Sequence, residues 1–316
     1  MEDIKLLELF GGIGACTKAF DRLGLKYKVV DYVEIDKYAV QSYNALHGTT
    51  FEPQDITQWN KNVDVNFIMH GSPCQDFSLI GKQAGGDENS GTRSSLMYET
   101  IRIVSKLTPK YVVWENVKNV LSNKHIHNFE KYCDKMKNLG YTNYYKVLNA
   151  KDYGIPQNRA RLFVVSIRND VNKAFEFQPE DKLYTQLRHF LEENVNEKYY
   201  LPDGTDNRFF VQAYDTFREK PCQTFDVINA FNKTVSKNGI CPTITTRPEG
   251  FKTAILIVDG KKVRKITPRE CWRLMGFDDS DFDKVCKIHS DAKLYHQAGN
   301  SIVVNVLESI ISSLFL

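Results

Sequence analysis

In the stretch FIMHGSPCQDFS, Phe67 to Ser78, an apolar run that reads as a buried strand ends in a cysteine placed directly after a proline. A thiol becomes a nucleophile only as its thiolate, so a reactive cysteine needs a partly exposed position near N–H donors or positive charge. Cys74 sits at such a strand end, and the polar loop after it carries Gly81, Gly85, Gly86 and Gly91, which suit a segment that closes over a site. A single intracellular cysteine is more often a small buried apolar residue, and that reading is kept for Cys133, Cys222, Cys271 and Cys286. Further along, YVVWENV puts Glu115 at the end of another strand, beside Asn116. Then YGIPQNRARLFVV carries Gln157, Arg159 and Arg161 at alternating positions, which on one strand directs all three side chains to one face. Two arginines entering a buried strand are costly unless they meet anions or acceptors.

A second cluster reads as a cofactor end. LELFGGIGACTKAF places Gly11, Gly12 and Gly14 between a strand and a helix, where backbone can approach a ligand closely. The six-residue dinucleotide spacing is incomplete, so the turn alone says little. The next strand ends in VEID, with Glu34 about twenty residues past the glycines, a position from which a carboxylate holds ribose hydroxyls. Asp55, in QDI, follows the next segment and suits either a helix N-cap or the same ligand; with the glycine turn and Glu34 it indicates a nucleoside cofactor. A nicotinamide dehydrogenase would account for the glycine turn but for neither SPCQ nor ENV.

The elements that must position these groups alternate. KLLELF, YKVVDYVEI, VNFIMHG, KYVVWENV and RLFVVSIR read as strands, separated by amphipathic stretches such as DKYAVQSYNALHG and SLMYETIRIVSKL. That alternation predicts βαβ units around a mostly parallel sheet, which binds ligands outside the carboxyl ends of its strands. From about Phe177 to Asp283 asparagine, aromatic and turn residues dominate, which predicts a second, smaller, loop-rich domain. The boundaries are 1–176 and 284–316 for the first domain and 177–283 for the second, the apolar terminal helix packing back on the first domain.

Composition narrows the classes. The 42 basic residues are interleaved with 39 acidic ones, so the net charge of +3 does not by itself announce nucleic acid. Locally it does: residues 230–269 hold nine basic residues against two acidic, whereas 176–229 hold six against eleven. Seven cysteines without a close pair suggest neither a zinc site nor a disulfide framework, and so a reducing compartment. The opening MEDIKLLELF lacks the character of a signal peptide, and no run is read as a membrane span, so the protein is expected in the cytoplasm.

FGGIG, VEID, SPCQDFS, ENV, QNRAR, TPRECWRLMGF and QAGNSIVVNV occur in an order that resembles, from end to end, the cytosine-C5 DNA methyltransferase family. The resemblance implies a Rossmann-like α/β fold that binds S-adenosylmethionine, with the 177–283 segment as target-recognition domain. It implies double-stranded DNA as partner, admits a cognate restriction endonuclease, and suggests a monomer with no bound metal. Cys74 would add to C6 of a flipped-out cytosine, Glu115 would meet the N3 edge, Arg161 the base carbonyl, and Arg159 would support the site. Phe10, Gly11, Gly12, Ile13, Gly14, Glu34, Ile35, Asp55, Ile56, Pro73, Asn300 and Ser301 would surround the cofactor. Ser78, Arg93, Gln157, Thr245, Thr246 and Arg247 would contact DNA. Three positions depart from the usual pattern: Ser72 before the proline, Gln54 before Asp55, and Ala15 in the first turn. The competing readings are a tRNA cytosine-5 methyltransferase, against which the TITTR turn speaks, and a catalytically silent DNA-binding relative, which has no need of Cys74, Glu115 and Arg161 together.

Overall fold

The first strand, Ile4–Leu9 (β1), buries all but one of its side chains, as a central strand of a parallel sheet must when helices cover both faces. The structure, a computed structural model, describes residues 3–73, 87, 90–178, 185–201, 226–230, 232, 234–236, 239–250, 253–259 and 262–316. The chain packs as two units: Met1–Leu148 with Ala160–Pro179 and Val306–Leu316, and Asn149–Arg159 with Glu180–Asn305.

Unit 1 follows the alternation expected from sequence. After β1 come α1 (Ala15–Arg22), β2 (Tyr27–Val33), α2 (Lys37–His47), β3 (Phe67–His70), α3 (Met97–Leu107), β4 (Tyr111–Val117), α4 (Ile126–Asn138) and β5 (Tyr141–Asn149). A short strand, β6 (Gln157–Asn158), lies in unit 2, and β7 (Ala160–Arg168) returns to the sheet, whose order is β2-β1-β3-β4-β7-β5. The first four strands run parallel and β7 runs antiparallel to β4. β5 is an addition to the strands read from sequence. It is an edge strand with half its residues partly exposed, so its pattern YTNYYKVLN lacks the apolar continuity of the others.

One lateral row crosses this sheet: Val33, Leu9, His70 and Trp114 are successive register partners. The next residues along these four strands are Glu34, Phe10, Gly71 and Glu115, so the turns that follow β1, β2, β3 and β4 leave from one edge. At about 4.8 Å between strands the row spans roughly 14 Å.

Within the terminal stretch Asp291–Phe315 an 18-residue window has the mean hydropathy, 1.3, of a membrane span, although no run was read as one from sequence. It is two helices, α7 (Asp291–Asn300) and α8 (Val304–Phe315), separated by non-helical backbone. Leu307, Ile310, Ile311 and Leu314 are buried, and the Phe315 ring packs on Phe20, Phe67 and Tyr111 of unit 1. That burial identifies α8 as a core helix.

Unit 2 holds an antiparallel sheet ordered β12-β11-β8-β9, from β8 (Asp226–Asn229), β9 (Thr234–Ser236), β11 (Ile255–Asp259) and β12 (Lys262–Lys265). β10 (Cys241–Pro242) pairs with β6 instead. Helices α5 (Pro268–Arg273) and α6 (Asp279–Val285) follow, and residues 284–305 pack here too, whereas the sequence boundaries place them in the first domain. α5 starts at a capping box, Thr267 with Glu270, and Glu270 also receives both terminal nitrogens of Arg264 at 2.9 and 2.7 Å. Both partners are fully buried, so removing either one strands a charge inside the unit.

Glu8, on β1, is likewise buried; it supplies α1 with the cap that Gly14, at its N-terminus, lacks a side chain to provide. Its carboxyl accepts from the backbone N–H of Thr17 at 3.2 Å and from the Thr17 hydroxyl, with Tyr43 Oη at 3.4 Å. Burial is the larger influence and pushes Glu8 from its ordinary 4.5 up to about 7 despite these bonds. The folded state therefore binds more protons than the unfolded state in this window, and the contribution of Glu8 to stability is lost as pH rises from 4.5 through 7. Denaturant titrations should find Glu8→Gln gaining on wild type by roughly 2–3 kcal/mol across that range; a stability difference independent of pH would show that Glu8 does not titrate there.

Candidate active site

The turn after β1 is built for close approach. Phe10 adopts φ 54°, Gly12 φ 54° and Gly14 φ 79°, and a Cβ on Gly11 would stand 2.6 Å from the Tyr32 ring. Tyr32, on β2, donates its hydroxyl to the Gly12 carbonyl at 2.6 Å, locking the turn against the neighbouring strand. Glu34 accepts from Gly12 N at 3.1 Å and Asp36 N at 2.9 Å; burial raises its carboxyl above the ordinary range while those N–H groups pull it back. Ile35 is 68% exposed beside it, an apolar side chain held in solvent. Asp55 is exposed and caps its own turn through Thr57 N and Oγ1, both at 2.9 Å on Oδ1, while Ile56 and Ile13 are buried. A glycine cradle, a carboxylate for hydroxyls and an exposed apolar side chain fit a nucleoside bearing a short charged tail, as S-adenosylmethionine does.

At the end of β3, Gly71 and Ser72 lead to Pro73; Cys74 and Ser78 lie outside the described residues. Ser72 is 3% exposed, and β4 fixes it twice: Trp114 Nε1 donates to Ser72 Oγ at 2.9 Å, and Asn116 Nδ2 reaches Ser72 O and Oγ at 3.3 Å. The departure from a bulkier residue before the proline is thereby explained, since a hydroxyl is needed to satisfy a buried indole N–H. His70 is buried between the Tyr132 hydroxyl at 2.9 Å and the Thr100 hydroxyl at 3.3 Å, and burial pushes it down to about 3, so its imidazole is neutral. Sequence reasoning missed Trp114 and His70 as supports; the signal was an aromatic and a histidine each ending an aliphatic run. On β4, Glu115 Oε1 meets Arg161 Nε of β7 at 3.2 Å, both side chains retaining some exposure, 13% and 17%. Arg93 is exposed, in the turn before α3. Burial raises the thiols of Cys16, Cys241 and Cys271, and that of Cys133 to about 12, so none of these four is poised as a thiolate.

Gln157, Arg159 and Arg161 do not form one strand face, because the strand breaks at Arg159 between β6 and β7. Gln157, expected at the DNA surface, is fully buried in unit 2, accepting from Ile244 N at 3.0 Å and donating to Leu274 O at 2.8 Å. Arg159 is 4% exposed and directs its guanidinium to carbonyls of the same unit: Ile244 at 2.9 Å, Gly299 at 3.0 Å and Ser301 at 2.8 Å. It joins the TITTR turn to the end of α7. Gly299 permits that approach, since a Cβ there would overlap the Thr245 carbonyl and lie 2.5 Å from Thr246 N. Thr245 and Thr246 are half-buried and Arg247 is exposed, while Asn300 is exposed and Ser301 buried.

The family model described as C-5 cytosine-specific DNA methylase matches residues 4–316. The chain belongs to this family. The type II methyltransferase M.HhaI of Haemophilus parahaemolyticus is 35% identical over 97% of the chain and 93% of its own length. The type II methyltransferase M2.ScrFI of Lactococcus lactis subsp. cremoris is 32% identical over 99% of each. A DNMT2 variant from Spodoptera frugiperda superposes with a TM-score of 0.75 at 22% identity, covering 99% of this chain and 100% of that one, and shares the fold. The protein is thus a DNA cytosine-5 methyltransferase that uses S-adenosylmethionine as methyl donor. In this C5 methylase the glycine-permitted contact at residue 299 is a packing requirement of unit 2. Gly299→Ala should lower unfolding stability by about 1–3 kcal/mol in chemical denaturation, because the clash is with backbone. A change within about 0.5 kcal/mol would mean that the contact relaxes freely.

Proposed function

We propose that the enzyme methylates C5 of one cytosine within a specific duplex sequence, through a transient bond between Cys74 Sγ and C6 of a base rotated out of the helix. The reading is carried by the meeting of Glu115 and Arg161 at the sheet edge where β3 gives way to Gly71–Pro73, the residues that precede Cys74 in sequence.

Cytosine C5 is a weak nucleophile in the aromatic ring. Addition of the Cys74 thiolate to C6 saturates the 5,6 double bond and pushes electron density to C5 and N3. Glu115 stabilises the charge developing along the N3 and amino edge, by donating a proton or a hydrogen bond, and Arg161, oriented by Glu115, faces the carbonyl at C2. S-adenosylmethionine, held by Phe10 to Gly14, Glu34, Ile35, Asp55 and Pro73 of unit 1, would supply an electrophilic methyl to C5 and leave as S-adenosylhomocysteine; Asn300 and Ser301, in unit 2, are assigned to it by the family resemblance alone. A base or water then takes the proton from the newly methylated C5, which re-forms the double bond and expels Cys74 as thiolate. The target base must leave the stack for this, which removes it from its pairing partner.

The 177–283 segment is the proposed target reader, with Thr245, Thr246 and Arg247 at its DNA surface and Arg93 and Ser78 at the flanking phosphates. The excess of basic residues over 230–269 supports that placement. Arg159 and Gln157 act here as positioning residues, holding the reading turn from within unit 2. A cytoplasmic monomer completes this reading, which admits a cognate restriction endonuclease and equally a solitary or phage-borne enzyme.

Fluorine at C5 allows addition and methylation but cannot leave as a proton. A target duplex containing 5-fluorocytosine, incubated with enzyme and S-adenosylmethionine, should therefore give a denaturant-resistant protein–DNA complex carrying one transferred methyl. Cys74→Ser should give little, because an alkoxide is far harder to form near neutral pH than a thiolate. Active wild-type enzyme that leaves the fluorinated target untrapped would contradict the covalent route, and preferential trapping of fluorinated RNA would point to a tRNA substrate.

A further inference from the structure

Behind the candidate cofactor turn lies a carboxylate that the chemistry above does not use. Asp31, on β2, is 4% exposed and accepts four hydrogen bonds, two on each oxygen. Oδ1 takes Tyr32 N at 2.9 Å and Gln54 Nε2 at 3.0 Å; Oδ2 takes Trp59 Nε1 at 2.8 Å and Lys61 Nζ at 2.8 Å. Three of the four donors come from residues 54–61, the segment that carries Asp55 and Ile56. Gln54 adds a bond from Nε2 to Tyr32 O at 2.6 Å and one from its own N–H to Glu34 O at 2.8 Å. Helix α3 holds the far side of the same segment: Arg102 Nη2 donates to Ile56 O at 3.0 Å and Trp59 O at 2.9 Å, and Lys106 Nζ to Asn60 O at 2.8 Å.

We propose that Asp31 and Gln54 are positioning residues for cofactor binding, fixing the Asp55–Ile56 turn at the set distance from Glu34 that one nucleoside must bridge. The inference rests on the reading of Glu34 and Asp55 as cofactor contacts. It also accounts for the departure at position 54. A glutamine amide there replaces backbone freedom with bonds to β2, and the acceptor it needs is supplied two strand positions before the ribose carboxylate. Burial works to raise the Asp31 carboxyl, but the bonds from Lys61, Trp59, Gln54 and Tyr32 outweigh it and hold it below its ordinary range.

All four partners are donors, so only an ionised carboxylate serves. In Asp31→Asn either orientation of the amide turns an NH2 group on two donors, losing two bonds and opposing like partners. The segment remains attached to α3 through Arg102 and Lys106, so its tie to β2 is released while the sheet stands. Isothermal titration with S-adenosylhomocysteine should find affinity weakened about tenfold or more in Asp31→Asn and severalfold in Gln54→Ala. The double variant should be little worse than Asp31→Asn alone, because both act through one network. In steady-state methylation of DNA the KM for S-adenosylmethionine should rise while kcat at saturating cofactor and the KM for DNA stay within about twofold. Unchanged cofactor affinity in either soluble variant overturns the inference, as does a parallel loss of kcat and of DNA affinity, which marks a general structural defect. Should Asp31→Asn fail to fold, Gln54→Ala, at a partly exposed position, carries the test. Wild-type protein that binds no S-adenosylhomocysteine would instead overturn the assignment of the cofactor site on which the inference rests.

Discussion

The register of the parallel sheet is the constraint on which the rest of unit 1 depends. Val33, Leu9, His70 and Trp114 lie side by side, held by backbone hydrogen bonds. Because they are level, Glu34, Phe10 and Glu115 emerge together, with Ser72 and Pro73 two and three residues past the same row. A slip of one residue in any strand would turn its side chains to the opposite face and carry its terminal group away from the others. The supports concentrate accordingly at this edge. Tyr32 holds Gly12, Trp114 and Asn116 hold Ser72, and Arg161 holds Glu115, each bond running between neighbouring strands or the turns they feed.

Much of this was legible in the sequence because parallel strands buried on both faces leave uninterrupted apolar runs, and the chemistry-bearing residues stand directly after them. The glycines at 11, 12 and 14, Glu34, Pro73 and Glu115 all follow such runs. β5 was not legible, since an edge strand with partly exposed tyrosines lacks the apolar signal. Nor were the supporting bonds of Asp31 and Ser72, which depend on partners 23 to 44 residues away: Gln54 reaches Asp31 across 23 positions and Asn116 reaches Ser72 across 44. The alternation of Gln157, Arg159 and Arg161 was visible, but the inference from it failed. Period-two geometry holds only within an unbroken strand, and the backbone leaves β-pairing at Arg159.

That break changes what the arginines do. Arg161 remains in β7 and meets a carboxylate, which suits a charge placed beside a reacting base. Arg159 finds three carbonyls in unit 2 and becomes the link between the TITTR turn and the end of α7. A buried guanidinium is tolerated when its terminal nitrogens are met, and the carbonyls of a turn and of a helix end are acceptors that secondary structure leaves over. Unit 2 thus carries its own internal order, from Gly299 against Thr245 to the buried Arg264–Glu270 pair, on which the proposed reading turn is mounted.

Bisulfite sequencing of DNA from a host expressing the protein tests the central claim most directly, since methylation at C5 protects cytosine from conversion. The account predicts protected cytosines confined to one short sequence context, present with the wild-type protein and absent with Cys74→Ala. Protected cytosines at the same sites with Cys74→Ala, or none above background with wild-type protein that is folded and binds S-adenosylhomocysteine, would contradict it.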